Sequence, residues 1–411
     1  MRVESPSARP RRRRRIVVLT TLGVVVVLLL LVGAVLGGGW YYSGQLLEPA
    51  NSRPGYPDTS AGGTGDADKP AVLLEQSEDT VLPGTWGLLW DGGAARVGPV
   101  EGRPDGKVRR PLIDGTAPPA GTKVRMATNI WATDPKAAVG LDFTDVRVKT
   151  ELGDAPAWFV PGTSSTWVVA VHGRAGSRAE ALRVLPQLHE RGLPTLVVTY
   201  RNDTDEGAPA SPDGLYHLGG TEWHDVDAAI AYASENGARS IVLMGWSMGG
   251  AISLQAATRA RHDGRLVGIV LDSPVIDWAD VVAYQGVLLR LPRIVVRGAL
   301  GIMAHRWGGL VTGLHLPIDL PRLDFVARAA DLSLPILILH SDDDGYVPSA
   351  PSRLLAEARP DIVTLVPFAE ATHTKLWNYD PAAWNAAILA WLGTLGSAHP
   401  AIAAADESAG R

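Results

Sequence analysis

The chain has 411 residues, 46% of them apolar, and it contains no cysteine. This length and composition allow one large α/β domain with a smaller companion, and they exclude a disordered chain, disulfide bonds and thiolate metal sites. The formal net charge is −5, but residues 1–15 carry seven arginines and one glutamate, so the remainder has a net charge of −11. Nucleic-acid binding rests on neutralising phosphates, so this acidic body excludes nucleic acid as a partner.

The basic N-terminus, residues 1–15, leads directly into an apolar segment. Residues 16–36 carry no charge over 21 positions, enough to cross a hydrocarbon layer about 30 Å thick. Trp40, Tyr41 and Tyr42 follow where an interfacial aromatic belt is expected. The sequence predicts one uncleaved transmembrane helix, with the N-terminus in the cytoplasm and the rest of the chain outside. A cleaved signal peptide is the alternative, although its apolar region normally has about 7–15 residues and no A-x-A-like site follows here.

Two segments separate this helix from the main domain. Residues 48–70 are rich in Pro, Gly, Ser, Thr and Asp, which predicts a flexible juxtamembrane linker. Residues 71–140 contain short apolar runs such as TWGLLW between Gly/Pro turns, which predicts a small β-rich module. No residue pattern with a chemical role occurs in this module, so packing or spacing is its expected role.

Residues 141–395 have the pattern of an α/β domain, and residues 396–411 form a predicted flexible tail. The alternating run FTDVRVKT is a candidate hairpin partner of APAWFVPG. Continuous apolar runs follow in TWVVAVHG, LPTLVVTY, RSIVLMGW, LVGIVLDS and LPILILHS, with a weaker one in DIVTLVPF, and helix-length segments separate several of them. Buried strands that alternate with helices predict a mostly parallel sheet with helices on both faces, whose function collects at the carboxyl ends of the strands.

The candidate nucleophile is Ser247, in the sequence GWSMGG between a strand and an alanine-rich helix. This strand–G-x-S-x-G–helix order predicts a sharp turn that exposes the serine at the helix N-terminus, where the helix dipole favours negative charge. The N–H of Met248 is then the first candidate oxyanion donor. A second strand ends in VHGRAG, where Gly173 allows the N–H of Arg174 to face the site as the second donor. His172 is interpreted as a structural residue.

A serine nucleophile needs a histidine base and a carboxylate that orients it, in the chain order Ser, acid, His. The strand LPILILHS is followed by Asp342, Asp343 and Asp344, and spacing alone does not select among them. Only two of the ten histidines follow these aspartates, and His399 lies in the tail. His373 is therefore the predicted base.

With these motifs in order, residues 141–395 resemble the serine hydrolases of the α/β-hydrolase family. The resemblance rests on VHG at 171–173, GWSMGG at 245–250, HSDDDGYVP at 340–348 and EATH at 370–373. It implies that Asp344 is the acid, with Asp343 as the second choice. Position 341 holds Ser where the family often has Gly, and HGRAG replaces the triple glycine of many lipases, so lipase-type specificity is not implied.

The resemblance also implies a helical cap over the active site within residues 275–330. This segment is apolar but carries Arg290, Arg293 and Arg297 at helical spacing, which excludes a second membrane span. Two interpretations stay open for these arginines: a solvated helix face, or a cap that lies at the membrane surface.

Three further polar segments precede the candidate base. The pair His224 and Asp225, with Asp227, lies on a helix before the nucleophile strand and is interpreted as structural. The polar segments 200–203 and 211–220 either line the pocket or cap their own loops.

The sequence predicts a membrane-anchored, extracytoplasmic serine hydrolase that cleaves carboxylic esters or thioesters with Ser247, Asp344 and His373. No metal or organic cofactor is required, and the expected partners are the membrane and a small-molecule or lipid-like ester substrate. A serine aminopeptidase-like enzyme of the same fold is the first alternative, which an acidic cluster near the pocket would favour. A catalytically silent binding or scaffold protein is the second alternative, although a scaffold needs no ordered triad.

Overall fold

The computed structural model describes residues 9–49, 55–66, 68–129, 131, 133–259 and 264–398. Residues 1–8 of the predicted basic N-terminus and residues 399–411 of the predicted tail lie outside this set. Contacts divide the chain into a major unit, Leu47–Tyr284 with Ile318–Arg411, and a minor unit, Met1–Leu46 with Gln285–Pro317.

Six antiparallel strands of the major unit close into a small barrel, which confirms the predicted β-rich segment. The barrel has the strand order β1-β2-β5-β4-β3-β6. The strands are β1 (Asp58–Gly63), β2 (Ala71–Glu75), β3 (Trp86–Trp90), β4 (Gly93–Val97), β5 (Lys107–Gly115) and β6 (Lys123–Ala127). They enclose an apolar core of their own, formed by Val72, Leu74, Trp86, Leu88, Val97, Val108, Val124 and Met126. A barrel has no open edges, so this short segment leaves no strand unpaired.

Strand β1 differs from the linker that was predicted over residues 48–70. Asp58, Ser60 and Gly62 alternate as the buried residues of this strand. The Ser60 hydroxyl donates to the Pro118 carbonyl at 3.0 Å, and the Ser77 hydroxyl donates to the Asp58 carboxylate at 2.6 Å. Because the inward residues are small or polar, this strand lacks the alternating hydropathy by which strands are recognised in a sequence.

The major unit also contains an eight-stranded mixed sheet. Its order is β14-β13-β12-β11-β9-β10-β8-β7. The strands are β7 (Thr144–Thr150), β8 (Gly153–Val160), β9 (Thr166–Val171), β10 (Thr195–Val198), β11 (Ser240–Trp246), β12 (Leu266–Asp272), β13 (Ile336–Ser341) and β14 (Val363–Phe368). Strands β9 to β14 run parallel, whereas β7 and β8 form the predicted antiparallel hairpin at one edge. The weak hydropathy of β14 fits its position at the other edge, where one side is half-exposed.

Helices cover both faces of this sheet, as predicted. Side chains alternate between the faces of a strand, so positions 268 and 271 of β12 face opposite sides. Leu271 lies against Gly250 of one helix, and Gly268 lies against Trp391 and Leu395 of another. The α-helices of the chain are α1 (Arg9–Leu47), α2 (Pro135–Val139), α3 (Leu185–Glu190), α4 (Trp223–Glu235), α5 (Met248–Arg259), α6 (Trp278–Leu288), α7 (Arg293–Ala304), α8 (Gly309–Thr312), α9 (Ala350–Ala358), α10 (Leu376–Tyr379) and α11 (Pro381–Ala398).

The minor unit combines α1 with part of the predicted cap. Helix α1 extends beyond the predicted span of 16–36, and an 18-residue window within its segment Val17–Leu47 has a mean hydropathy of 2.9. Among the described residues it is the one helix long and apolar enough to cross a membrane, a property that membrane anchors and signal sequences share. Helix α7 packs against α1, where Gly38 and Gly39 lie against Val295 and Ala299. Small residues at such a contact allow two helix backbones to approach closely.

Candidate active site

Ser247 lies on a sharp turn between β11 and α5. Its backbone has a left-handed conformation, with φ of 51°. A Cβ at position 245 would collide with the carbonyl of Gly249, and a Cβ at position 249 would collide with the carbonyl of Val171. The two glycines that flank Ser247 are therefore sterically required, which explains the G-x-S-x-G pattern at this position.

The structure brings Ser247, His373 and Asp344 into one hydrogen-bonded line. The Ser247 Oγ and His373 Nε2 atoms are 2.8 Å apart, and His373 Nδ1 and Asp344 Oδ2 are also 2.8 Å apart. These residues come from the ends of three different elements, 126 and 29 residues apart in the sequence. This geometry allows His373 to accept the serine proton while Asp344 fixes the orientation of its ring.

Asp344 differs from the two aspartates before it in burial and in hydrogen bonding. Its other oxygen, Oδ1, accepts the backbone N–H groups of Tyr346 and Val347, both at 2.8 Å. Burial alone would raise the pKa of Asp344, but hydrogen bonds from His340 and His373 lower it well below its usual range. Asp344 is therefore an anion throughout the physiological pH range.

Asp342 and Asp343 are exposed, and Asp342 is paired with Arg353.

His340 is a second contact of the Asp344 carboxylate that sequence reasoning did not identify. Its Nε2 lies 3.3 Å from Asp344 Oδ2, and its Nδ1 lies 2.8 Å from the Ser352 hydroxyl. Its position inside an apolar strand gave no signal of this contact.

The two predicted oxyanion donors lie beside Ser247. Met248 is the first residue of α5, and Arg174 lines the same cavity as Ser247. Gly173 approaches Ser247 so closely that a Cβ on it would lie 3.1 Å from the Ser247 Cβ. The Gly173 N–H donates to the buried Glu180 carboxylate at 2.8 Å, which fixes the loop that carries Arg174.

Comparison of the sequence with family models gives a match over residues 159–387 to a model described as the alpha/beta hydrolase family. This match covers more than half of the chain. The chain belongs to the α/β-hydrolase family. A second model, described as a domain of unknown function, matches residues 63–127, which include most of the barrel. Comparison with curated protein sequences gives no match.

Comparison with solved structures gives matches to two esterases and a peptidase. An esterase from Pyrococcus furiosus is 19% identical, with a TM-score of 0.50 over 64% of this chain and 94% of the esterase. An esterase from Rhodococcus is 20% identical, with a TM-score of 0.43 over 61% of this chain and 99% of the other. A puromycin-hydrolyzing peptidase from Mycobacterium tuberculosis is 17% identical, with a TM-score of 0.47 over 82% of this chain and 47% of the peptidase. At 19% identity the similarity to the Pyrococcus furiosus esterase extends to the fold and not to the substrate.

A cavity of about 1090 Å³ opens beside Ser247 and His373 of this α/β-hydrolase. The barrel contributes to its lining, and sequence reasoning did not anticipate this because the barrel carries no recognisable motif. The barrel and the segment that follows it supply Leu89, Arg125, Met126, Ala127, Thr128, Asn129, Trp131 and Thr133. The barrel thus helps to define which molecules fit beside Ser247.

Asn378, which is fully buried, attaches the barrel to the catalytic segment. Its side-chain amide donates to the backbone carbonyls of Thr85 at 2.9 Å and Thr128 at 3.1 Å. Its backbone carbonyl accepts a hydrogen bond from the Thr85 N–H at 2.7 Å. Arg183 donates to its side-chain oxygen at 3.2 Å. Because Asn378 lies on α10, five residues after His373, the barrel wall and the candidate base are held by one short segment.

His172 contacts Asp203 and not Ser247, as its structural interpretation requires. Its Nε2 lies 2.6 Å from Asp203, its Nδ1 lies 2.8 Å from the Gly173 carbonyl, and its ring stacks on Tyr200. Burial would lower the pKa of His172, but the charge of Asp203 and the hydrogen bond to it raise this pKa to about 9. A protonated His172 thus holds the chain beside the predicted Arg174 donor.

The other polar segments have structural partners. Asp225 accepts two hydrogen bonds from the Arg201 side chain, at 2.8 and 2.9 Å, so the helix that carries His224 and Asp227 is tied to the loop after β10. Asn202 donates to Ser211 at 2.8 Å, which links the two polar loops to each other. These contacts favour the loop-capping interpretation. The expectation that no cofactor is needed stays a prediction.

Proposed function

We propose that this α/β-hydrolase is a serine hydrolase that cleaves a carboxylic ester or thioester through an acyl-enzyme. The observation that carries the proposal is the line of two 2.8 Å contacts that joins Ser247, His373 and Asp344 at the edge of a large cavity. Three groups in this order and geometry are needed to activate a serine hydroxyl, and a binding or scaffold protein does not need them.

In the acylation step, Ser247 Oγ attacks the substrate carbonyl carbon as His373 Nε2 accepts the hydroxyl proton. The N–H groups of Met248 and Arg174 stabilise the negative charge that develops on the carbonyl oxygen. The protonated His373 then gives its proton to the leaving alcohol or thiol, and the acyl group stays on Ser247. In the second step His373 activates a water molecule, which releases the acid and restores the serine hydroxyl.

The peptidase alternative requires a free acidic group that captures the substrate amine. Two carboxylates line the described part of the cavity, those of Glu180 and Asp205. Glu180 accepts hydrogen bonds from Gly173 and Arg183, and Asp205 accepts one from Arg178 at 2.8 Å. Because both carboxylates are already paired, an ester substrate is favoured over an aminoacyl substrate.

The proposal includes a location outside the cytoplasmic membrane, with α1 as an uncleaved anchor. It is supported by the arginines before the apolar span and by the single arginine, Arg53, in the 30 residues after it. Substrates would then be esters of the cell envelope or imported esters.

The function is tested with a fluorophosphonate probe and a panel of acyl esters and aminoacyl amides. We expect the wild-type protein to be labelled and to hydrolyse esters, and we expect Ser247→Ala to lose both properties while its circular dichroism spectrum is unchanged. Full ester hydrolysis by Ser247→Ala would contradict the proposal. Faster cleavage of aminoacyl amides than of esters would favour the peptidase.

A further inference from the structure

The cavity beside Ser247 has an excess of positive charge that contrasts with the acidic body of the protein. Its lining includes three cationic side chains, Arg125, Arg174 and Lys375, and two carboxylates, Glu180 and Asp205. Both carboxylates form hydrogen bonds with other parts of the protein. The charge that the cavity offers to a ligand is therefore positive.

Arg125 comes from the barrel and has no polar partner among the described residues. It lies on β6 between Val124 and Met126, which are both buried in the barrel core, so its side chain points away from that core. Its Nε atom is buried without a hydrogen bond. A guanidinium group presents its N–H donors in a planar fork that matches carboxylate and phosphate oxygens.

Lys375 lies two residues after His373, on the catalytic side of the cavity. Its ammonium lies over the ring of Trp86 at 5.4 Å, and no described side chain accepts a hydrogen bond from it. Burial lowers the pKa of Lys375, and the nearby acids that oppose this effect are Asp79 and Asp344. Asp344 is engaged with His373, and Asp79 is exposed.

We propose that the cavity binds an anionic ester, whose carboxylate or phosphate group is held by Arg125 of the barrel and Lys375 while its ester carbonyl lies at Ser247. This proposal rests on the proposed hydrolase function and adds the class of substrate. It also assigns a role in substrate selection to the barrel. An acidic protein repels anions in general, so a local pair of cations is the feature that would make such a substrate acceptable.

The test compares p-nitrophenyl hydrogen glutarate with its neutral methyl ester, and with a phosphonate analogue of the same chain length. We expect the wild-type enzyme to have a higher kcat/KM for one of the charged esters, and Arg125→Gln to reduce the charged-to-neutral ratio at least tenfold. The carboxylate and phosphonate arms identify which anion is preferred. Lys123→Gln is the matched control, because it removes the same charge from an exposed position of the same strand, and it should leave the ratio unchanged.

Equal rates for charged and neutral esters, or an equal loss for both in Arg125→Gln, would overturn the anionic-substrate proposal and leave the hydrolase function intact. Calorimetric binding of the same esters to Ser247→Ala makes the test independent of turnover. If no ester is hydrolysed, the proposed function fails. The anion site is still supported if the charged ester binds more tightly than the neutral ester and Arg125→Gln abolishes this difference in binding.

The minor unit exposes a segment that is both basic and apolar. Its segment Gln285–Pro317 contains four arginines and no acidic residue. Several of its large apolar side chains are exposed, including Leu310 at 92%. The others are Val287, Leu288, Leu289, Ile294, Trp307, Val311 and Leu316. We call this set, together with Arg290, Arg293, Arg297 and Arg306, the basic apolar surface.

The basic apolar surface is continuous with the apolar helix α1. Helix α7 lies against Gly38 and Gly39, which follow the uncharged span in the sequence. Where α1 crosses a membrane, this contact holds the basic apolar surface at the level of the lipid headgroups. Apolar side chains interspersed with arginines are the pattern of segments that lie in the interface of anionic membranes.

We infer that the basic apolar surface inserts into the interfacial layer of an anionic membrane. Because the chain has no cysteine, Leu310→Cys gives a single site for a fluorescent label in the full-length protein. In liposomes with anionic lipids we expect headgroup-level nitroxide lipids to quench this label and aqueous iodide to have little effect. A triple Arg290→Glu, Arg293→Glu, Arg297→Glu variant should lose the lipid quenching. Strong iodide quenching without lipid quenching, or no effect of the triple substitution, would overturn the inference.

Discussion

Replacing Asp344 by asparagine changes one atom of the candidate triad and reverses the direction of a hydrogen bond. In the wild-type protein Asp344 Oδ1 accepts two backbone N–H groups and Oδ2 faces His373. The single carbonyl oxygen of asparagine best replaces Oδ1, because both backbone donors would otherwise be lost. The asparagine NH₂ group then faces His373 Nδ1 and donates to it. His373 must carry its proton on Nε2, where it cannot accept the proton of Ser247.

The expected loss in kcat is about 10⁴-fold, the size seen when a triad histidine is held in the wrong tautomer. Each factor of ten corresponds to about 1.4 kcal/mol, so the loss amounts to roughly 5 kcal/mol of transition-state stabilisation. Steady-state hydrolysis of a p-nitrophenyl ester measures this loss, and the rate of fluorophosphonate labelling should fall in parallel. Near-ultraviolet circular dichroism checks that the fold is intact.

Asp343→Asn is the matched control, because this neighbouring carboxylate is exposed and no described contact joins it to His373. We expect its activity to stay within about twofold of the wild type, in line with the small effects of surface substitutions. If Asp343→Asn loses as much activity as Asp344→Asn, the assignment of the acid is wrong by one residue.

Three further predictions concern stability and topology. The pKa of His172 is raised to about 9, so the stability that its protonated ring contributes is complete below its unfolded pKa of about 6.5 and is lost as the pH rises to about 9. Urea unfolding over this range should show that the difference in free energy of unfolding between the wild type and His172→Gln disappears. Arg110 is fully buried and donates to the carbonyls of Thr80, Gly84 and Gly98. Arg110→Met should therefore lower the free energy of unfolding by about 3 kcal/mol. A loss below about 0.5 kcal/mol would show that these carbonyls find other donors. Protease added to intact spheroplasts should degrade the chain from residue 43 onward and leave a short protected fragment, whereas complete protection would reverse the proposed orientation.

The sequence determined the features that depend on local chemistry. Gly245 and Gly249 are required because a side chain at either position collides with the backbone, so the turn at Ser247 was recognisable without a structure. Strands buried on both faces are continuously apolar, which made the central sheet predictable. The hairpin at its edge followed from alternating polarity, and α1 followed from an uncharged span.

The tertiary structure decided features that depend on contacts between distant parts of the chain. Spacing leaves three adjacent aspartates as candidates, and the resemblance to the family favours Asp344; the tertiary structure adds that Asp344 is the buried one and lies 2.8 Å from His373. Strand β1 is a strand because Ser60 and Asp58 find partners in other segments, although its composition is that of a linker. Asn378 joins the barrel to the catalytic segment across 293 residues of sequence. Hydropathy and motif spacing describe neighbours along the chain, so they carry no record of which distant group a small or polar residue will meet.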